Sequence, residues 1–162
     1  MKDLLAWFGL KGFPFDKNLK TQDVFETEPF KEAMARFDYI KRRGGILLLT
    51  GDPGVGKTLA LRRYVDTLNE NLFKPYYTPL STLSRADLLY HLNRLLGLPP
   101  RLSKSAIYGQ IQKTLLESKE SSGKTIFLTI DEAHLLQTGP LEELRLLTNF
   151  KMDSYDPFIL VL

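Results

Sequence analysis

Apolar residues along this chain alternate between two rhythms, and each change of rhythm marks an element. From Thr27 the rhythm is helical: Phe30, Met34, Phe37 and Ile40 recur on one face, Thr27 can cap, Pro29 suits the first turn and Gly44-Gly45 stops the helix. Ile46 to Leu49, ending at Thr50, is continuously apolar, which predicts a strand buried on both faces. Leu61, Tyr64, Val65 and Leu68 return to helical spacing, and Phe73 to Thr78 reads as a short strand. Together these segments predict a βαβ unit. Ser84 with Asp87 announces the next helix, in the manner of a capping box with Asp in place of Glu. It carries Leu88, Leu89, Leu92, Leu95 and Leu96 to a stop at Gly97.

A further helix is expected from about Ser105 to Ser118. The polar stretch Glu120 to Lys124 leads into a second buried strand, Thr125 to Ile130, which ends in Asp131-Glu132. Leu141, Leu144 and Leu147 mark a short helix, and Phe158 to Leu162 a last buried strand. Such alternation predicts the α/β class: three layers, a parallel sheet with helices on both faces. Residues 1–27 carry Trp7, Phe8, Gly9, Gly12, Phe13, Pro14 and Phe15 with neither period. They are expected to form an extended arm docked on a core that spans residues 28–162.

Length and composition narrow the picture. A chain of 162 residues with 43% hydrophobic content fits one domain and excludes two full ones. Its 22 Lys and Arg against 19 Asp and Glu give a net charge of +3, which excludes a charge-biased disordered chain. Nucleic-acid contact is permitted by that balance without being argued for. The absence of cysteine removes disulfides, thiolate zinc sites and Cys nucleophiles. No apolar run reaches the roughly 18 to 20 residues that span a bilayer, and the start lacks the apolar stretch of a secretory signal. A soluble, cytoplasmic protein is the expectation.

Gly51-Asp52-Pro53-Gly54-Val55-Gly56-Lys57-Thr58 satisfies the phosphate-loop pattern G-x-x-x-x-G-K-[ST], between a predicted strand and a predicted helix. Gly51, Gly54 and Gly56 let the backbone curl so that the amides of Gly56, Lys57 and Thr58 point at a phosphate from a helix N-terminus. Lys57 can reach the β- and γ-phosphates of ATP, and the Thr58 hydroxyl can hold Mg²⁺. The strand ending in Asp131 is of Walker-B type: it carries a carboxylate to the rim of the sheet, where Asp131 can hold Mg²⁺ through water. Glu132 is then the candidate to orient or deprotonate an attacking water. Asp131-Glu132-Ala133-His134 also spells the tetrapeptide of a helicase superfamily, but those enzymes need two domains each comparable to this whole chain. His134 reads as a helix-start residue, and His91 as a helix-face residue.

Taken together, Phe8-Gly9-Leu10, Phe13-Pro14-Phe15, Arg42-Arg43-Gly44-Gly45, Gly51 to Thr58 and Asp131 to His134 resemble an AAA+ ATPase. The chain is similar to the general secretion pathway protein A (ExeA-like) group, which includes ATPases encoded beside transposases; Leu144 to Ser154 resembles the segment those proteins carry after the Walker-B strand. The resemblance implies an adenine pocket built partly by the arm, though Trp7, Phe8, Phe13 and Phe15 equally suit capping of the core. It also implies that Thr78, before Pro79, touches the catalytic glutamate, while ordinary turn chemistry explains the same pair.

A complete module of this resemblance continues to a fifth strand, a sensor residue, an arginine finger and a helical lid. The expectation is therefore a core truncated before the fifth strand and lid, whose arginine finger a neighbouring copy in a homo-oligomer would supply. Two functions follow as alternatives. One is an Mg²⁺-dependent ATPase that drives or gates a partner in DNA transposition or secretion-complex assembly. The other is an ATP-gated, DNA-bound scaffold that recruits a transposase with little hydrolysis. Candidate DNA contacts are Lys41-Arg42-Arg43, Arg62-Arg63, and Arg85 with Arg101 and Lys104, although such runs are usually solvated helix faces.

Overall fold

The computed structural model describes residues 2–10, 12–13, 20–79, 83–152 and 154–162. Its helices are α1 (Lys2–Trp7), α2 (Glu28–Arg43), α3 (Lys57–Asp66), α4 (Arg85–Leu95), α5 (Lys104–Glu120) and α6 (Thr138–Thr148). Its strands are β1 (Gly45–Leu47), β2 (Phe73–Pro79), β3 (Thr125–Asp131) and β4 (Phe158–Val161), with short 3-10 turns at Thr21–Asp23 and Ala133–Leu135. The strands form one parallel sheet in the order β1-β4-β3-β2. Every carboxyl end therefore lies on one rim. Helix α3 carries the chain from β1 to β2 at the opposite edge, so the expected βαβ unit spans the sheet with β4 and β3 between its strands.

Two apolar cores lie on the two faces. Leu88, Leu89 and Leu92 of α4, Ile107, Ile111 and Leu115 of α5, and Leu144 and Leu147 of α6 pack on Ile126, Leu128 and Ile130 of β3 and on Phe158 and Leu160 of β4. Phe37 and Ile40 of α2 and Leu61 and Tyr64 of α3 pack on Phe127, Ile159 and Val161 across the sheet. Odd and even residues of β3 and β4 thus face opposite layers, the period of two that a parallel central strand buries on both sides. Local chemistry ends the helices where the sequence placed the signals. The Thr27 side chain accepts from the Phe30 amide, Ser84 from the Asp87 amide, and the Gly44 amide closes α2 onto the Ile40 carbonyl.

Three expectations are corrected. Lys2–Trp7 is helical rather than extended, in keeping with its run of good helix formers, Leu4, Leu5 and Ala6. Trp7 and Phe8 do not cap the core: they are 85% and 65% exposed, and Phe13 is exposed too, while Pro14 and Phe15 lie outside the described residues. Strand β1 is not buried on both faces. It is the edge strand, and Ile46 and Leu48 are exposed while Leu47 and Leu49 pack against the α2–α3 core. The helices of the other layer sit over β3 and β4 and stop short of it. At the opposite edge β2 carries Pro75 and Pro79, residues compatible with a strand that lacks a partner on one side.

Glycine has separate meanings at two positions. Gly44 has φ +80°, and a Cβ there would stand 2.7 Å from the Asp156 Cβ, whereas Gly109 lies within α5 with open space around it. Gly44→Ala is expected to cost at least about 1 kcal/mol and Gly109→Ala to add about 0.5–1 kcal/mol. Urea unfolding of the two variants beside the parent checks both signs.

Candidate functional site

The 51–58 loop joins the carboxyl end of β1 to the start of α3 on the rim. Gly54 and Gly56 hold φ +85° and +95°, left-handed values that a side chain disfavours. Gly56 is the N-cap of α3 and offers no side chain to cap it, so the first-turn amides are left to meet an anion. Lys57, the first residue of α3, folds back over the loop: its Nζ donates to the Gly51 carbonyl at 2.7 Å and the Asp52 carbonyl at 3.1 Å. Asp52, Pro53 and Val55 are exposed on the same turn.

Across from this loop, the Asp131 carboxylate gathers three donors. The hydroxyls of Thr58 and Tyr77 donate to Oδ2 at 3.0 and 2.9 Å, and the Glu132 amide donates to Oδ1 at 2.9 Å. Helix α3 and the ends of β2 and β3 thereby meet at one side chain. Tyr77 is legible only from the register, which places it opposite Thr129, two residues before Asp131 on the same face of β3. That diagonal is within reach of a long side chain. Burial, then the Asp131 carboxylate, push the Tyr77 hydroxyl above the usual phenol range, so it remains a donor at neutral pH.

Glu132 takes φ +56°, a left-handed value uncommon for a residue with a side chain. This turns the chain sharply after β3 and leaves the Glu132 side chain 59% exposed, with its carboxylate 3.2 Å from His134 Nδ1. The donor set fits a nucleotide with a hard cation. Thr58 and Asp131 offer oxygen only, as Mg²⁺ prefers. Among the described residues no cluster of three or more His, Asp or Glu could hold a metal ion. A cation here would draw its remaining ligands from phosphate and water.

The other singled-out residues lie elsewhere. Thr78 is buried with its Oγ1 2.5 Å from His91 Nε2 on α4, so it engages that histidine rather than Glu132. The basic groups fall on opposite faces of the sheet. Lys41 sits over the Phe73 ring, Arg43 over Tyr39, and Arg42 and Arg62 belong to the same α2–α3 layer, while Arg63 borders a shallow surface with Lys20 and Asp66. In the other layer Arg85 pairs with Glu142, Lys104 with the buried Glu143 at 2.8 Å, and Arg101 donates to Gln110. No single basic surface is formed by these residues. Among the described residues no helix is long and apolar enough to cross a membrane.

A parallel α/β sheet with a glycine-rich strand-to-helix loop and an aspartate at the end of a central strand defines the P-loop NTPase fold. Within that class, residues 40–162 match the AAA domain family, and the chain belongs to it. It is 34% identical over 153 residues to general secretion pathway protein A of Aeromonas hydrophila, which covers 91% of this chain and 27% of that protein. The chain thus spans about a quarter of that relative's length. Its fold is also similar to the crystal structure of Cdc6p from Pyrobaculum aerophilum, with a TM-score of 0.58, 20% identity, and coverage of 92% of this chain and 40% of that one. The resemblance to AAA+ proteins of the ExeA-like group is thereby upheld.

The Thr78–His91 contact carries a pH dependence. Burial, then the charge of Arg94, lower the His91 pKa, so the folded protein resists protonation there. Below about pH 6.5 the unfolded chain takes up that proton first, and stability falls as the pH drops. The loss in urea midpoint between about pH 7.5 and about pH 5.5 is expected to be smaller in His91→Gln than in the parent.

Proposed function

We propose that this chain is an ATP-binding module whose 51–58 loop cradles the phosphates and whose β3 terminus serves the cation and the attacking water, with residues 1–27 as an arm on a core of residues 28–162. The observation that carries this reading is the Thr58–Asp131 hydrogen bond, which joins the start of α3 to the end of β3 at 3.0 Å, next in the chain to Lys57, whose ammonium folds back over the loop. Backbone amides of Gly51, Asp52, Pro53's neighbour Gly54, Val55, Gly56, Lys57 and Thr58 are the group from which the phosphate cradle is drawn, Pro53 shaping the turn. Lys57 exchanges the Gly51 and Asp52 carbonyls for β- and γ-phosphate oxygens. Thr58 and Asp131 hold Mg²⁺, which when bound neutralises charge on the phosphates.

Glu132 orients or deprotonates the water that attacks the γ-phosphorus. Its left-handed backbone and its exposed side chain, free of the three bonds that hold Asp131, support this division of labour between adjacent acids. The product of hydrolysis is ADP, and the exchange of ATP for ADP is the signal that drives or gates a partner. A secretion-complex protein is the partner this reading favours, supported by the likeness to general secretion pathway protein A. DNA or a transposase is less favoured, because Arg85, Arg101 and Lys104 are engaged within the α4–α6 layer.

Lys57→Ala is expected to weaken ADP and ATP binding about ten- to hundredfold while circular dichroism stays that of the parent, since the lost group is a charged donor outside the core. Calorimetry measures it, and parental affinity in a folded variant would remove the phosphate-loop assignment. Glu132→Gln is expected to keep Mg²⁺·ATP binding and to abolish turnover in the complete protein, whereas Asp131→Asn is expected to blunt the gain in affinity that Mg²⁺ provides. Steady-state ATPase rates and calorimetry with and without Mg²⁺ separate the two phenotypes.

A further inference from the structure

The Asp131 carboxylate accepts from three donors, and one of them comes from outside both motifs. Tyr77 Oη lies 2.9 Å from Oδ2, the same oxygen that accepts from Thr58. On the proposed reading, the Thr58 oxygen turns a lone pair to the cation. Its O–H still donates to Oδ2, so that bond shifts with whatever position the cation imposes on Thr58, and the Glu132 amide alone holds Oδ1. The Tyr77 hydroxyl is not a ligand in this reading and is tied to the sheet instead. It projects from β2, whose seven-residue register with β3 sets Pro79 opposite Asp131 and fixes the distance between ring and carboxylate. We infer that Tyr77 is a positioning residue for the metal site: its hydroxyl anchors the Asp131 carboxylate in the orientation that receives Mg²⁺ when nucleotide is bound.

Physical reasons favour anchoring over competition for the cation. A carboxylate oxygen has two lone-pair directions, and magnesium reached through water needs one acceptor direction on either oxygen, which Oδ1 still offers beside the single Glu132 bond. A bond that fixes the carboxylate plane spares the site the entropy of ordering Asp131 as the cation arrives. Half of the Tyr77 side is open to water, its residue being 49% exposed, so the ring is not a core support whose loss would unfold the sheet.

The inference rests on the reading of loop 51–58 as a phosphate site, and its test separates the two. ADP affinity of the 162-residue chain is measured by calorimetry across a Mg²⁺ titration and in excess chelator, for the parent, Tyr77→Phe, Asp131→Asn and the double variant. Tyr77→Phe is expected to raise the Mg²⁺ concentration for half-maximal affinity gain by about tenfold and to leave ADP affinity in chelator unchanged. In the Asp131→Asn background the same substitution is expected to have no further effect, because the hydroxyl acts through that carboxylate. A parental Mg²⁺ requirement in Tyr77→Phe, a lower one, or an equal shift in the Asp131→Asn background overturns the inference alone. A parent chain that binds no ADP overturns the phosphate-site reading and the inference with it.

Discussion

Asp131 can stand at the rim of the sheet because β3 is hydrogen-bonded along both sides, to β2 through seven register pairs and to β4 through four. A central parallel strand leaves its terminal residue little freedom of height or direction, since a slip of one position would turn the carboxylate from the α2–α3 face to the opposite core. Everything around Asp131 inherits that constraint. Thr58 reaches it from α3, Tyr77 from β2, and the left-handed Glu132 backbone begins the turn that follows. The site's dimensions are therefore set by the sheet, while its chemistry is supplied by the loop and the strand end.

The two apolar cores have different companions at the surface. Under α4, α5 and α6 the packing is reinforced by charge: Lys104 meets the buried Glu143, and Arg85 meets Glu142 while its side chain lies close over Gly139. The burial of Glu143 makes its partner important, because removing the lysine would strand a carboxylate among apolar groups. On the other face, Tyr64 stacks on Phe37 with ring centroids 4.9 Å apart and donates its hydroxyl to Asp38 at 3.0 Å, binding α3 to α2. Helix α3 bears the end of the phosphate loop, so this contact fixes the loop's base. In the α4–α6 layer Arg101 also donates to Gln110, so the three basic residues of that layer singled out in the sequence each have a partner within it.

What the sequence disclosed is what local chemistry decides. Thr27, Ser84 and Gly44 act within one turn of themselves, and the 51–58 loop announces itself because its glycines, lysine and threonine are contiguous. The misreadings share the opposite cause. Ile46 and Leu48 look like core residues, yet their burial depends on which helix passes over an edge strand. Trp7 and Phe8 suggest capping, but exposure is decided by where α1 lies, not by their apolar character. Tyr77 gives no signal in its own neighbourhood; its meaning comes from Asp131, 54 residues away. Thr78, which the resemblance linked to Glu132, turns instead to His91, thirteen positions along on α4.

The central claim, that loop 51–58 and the β3 terminus together receive Mg²⁺·ADP or Mg²⁺·ATP, is tested most directly by amide hydrogen exchange on the parent chain with and without saturating Mg²⁺·ADP. Ligand that binds as described satisfies loop amides which otherwise face water, so protection is expected to concentrate in peptides covering residues 51–58 and 131–132, with little change along the outer faces of α4 and α5. Protection confined to other segments, or none in those peptides at a nucleotide concentration that calorimetry shows to be saturating, would contradict the account.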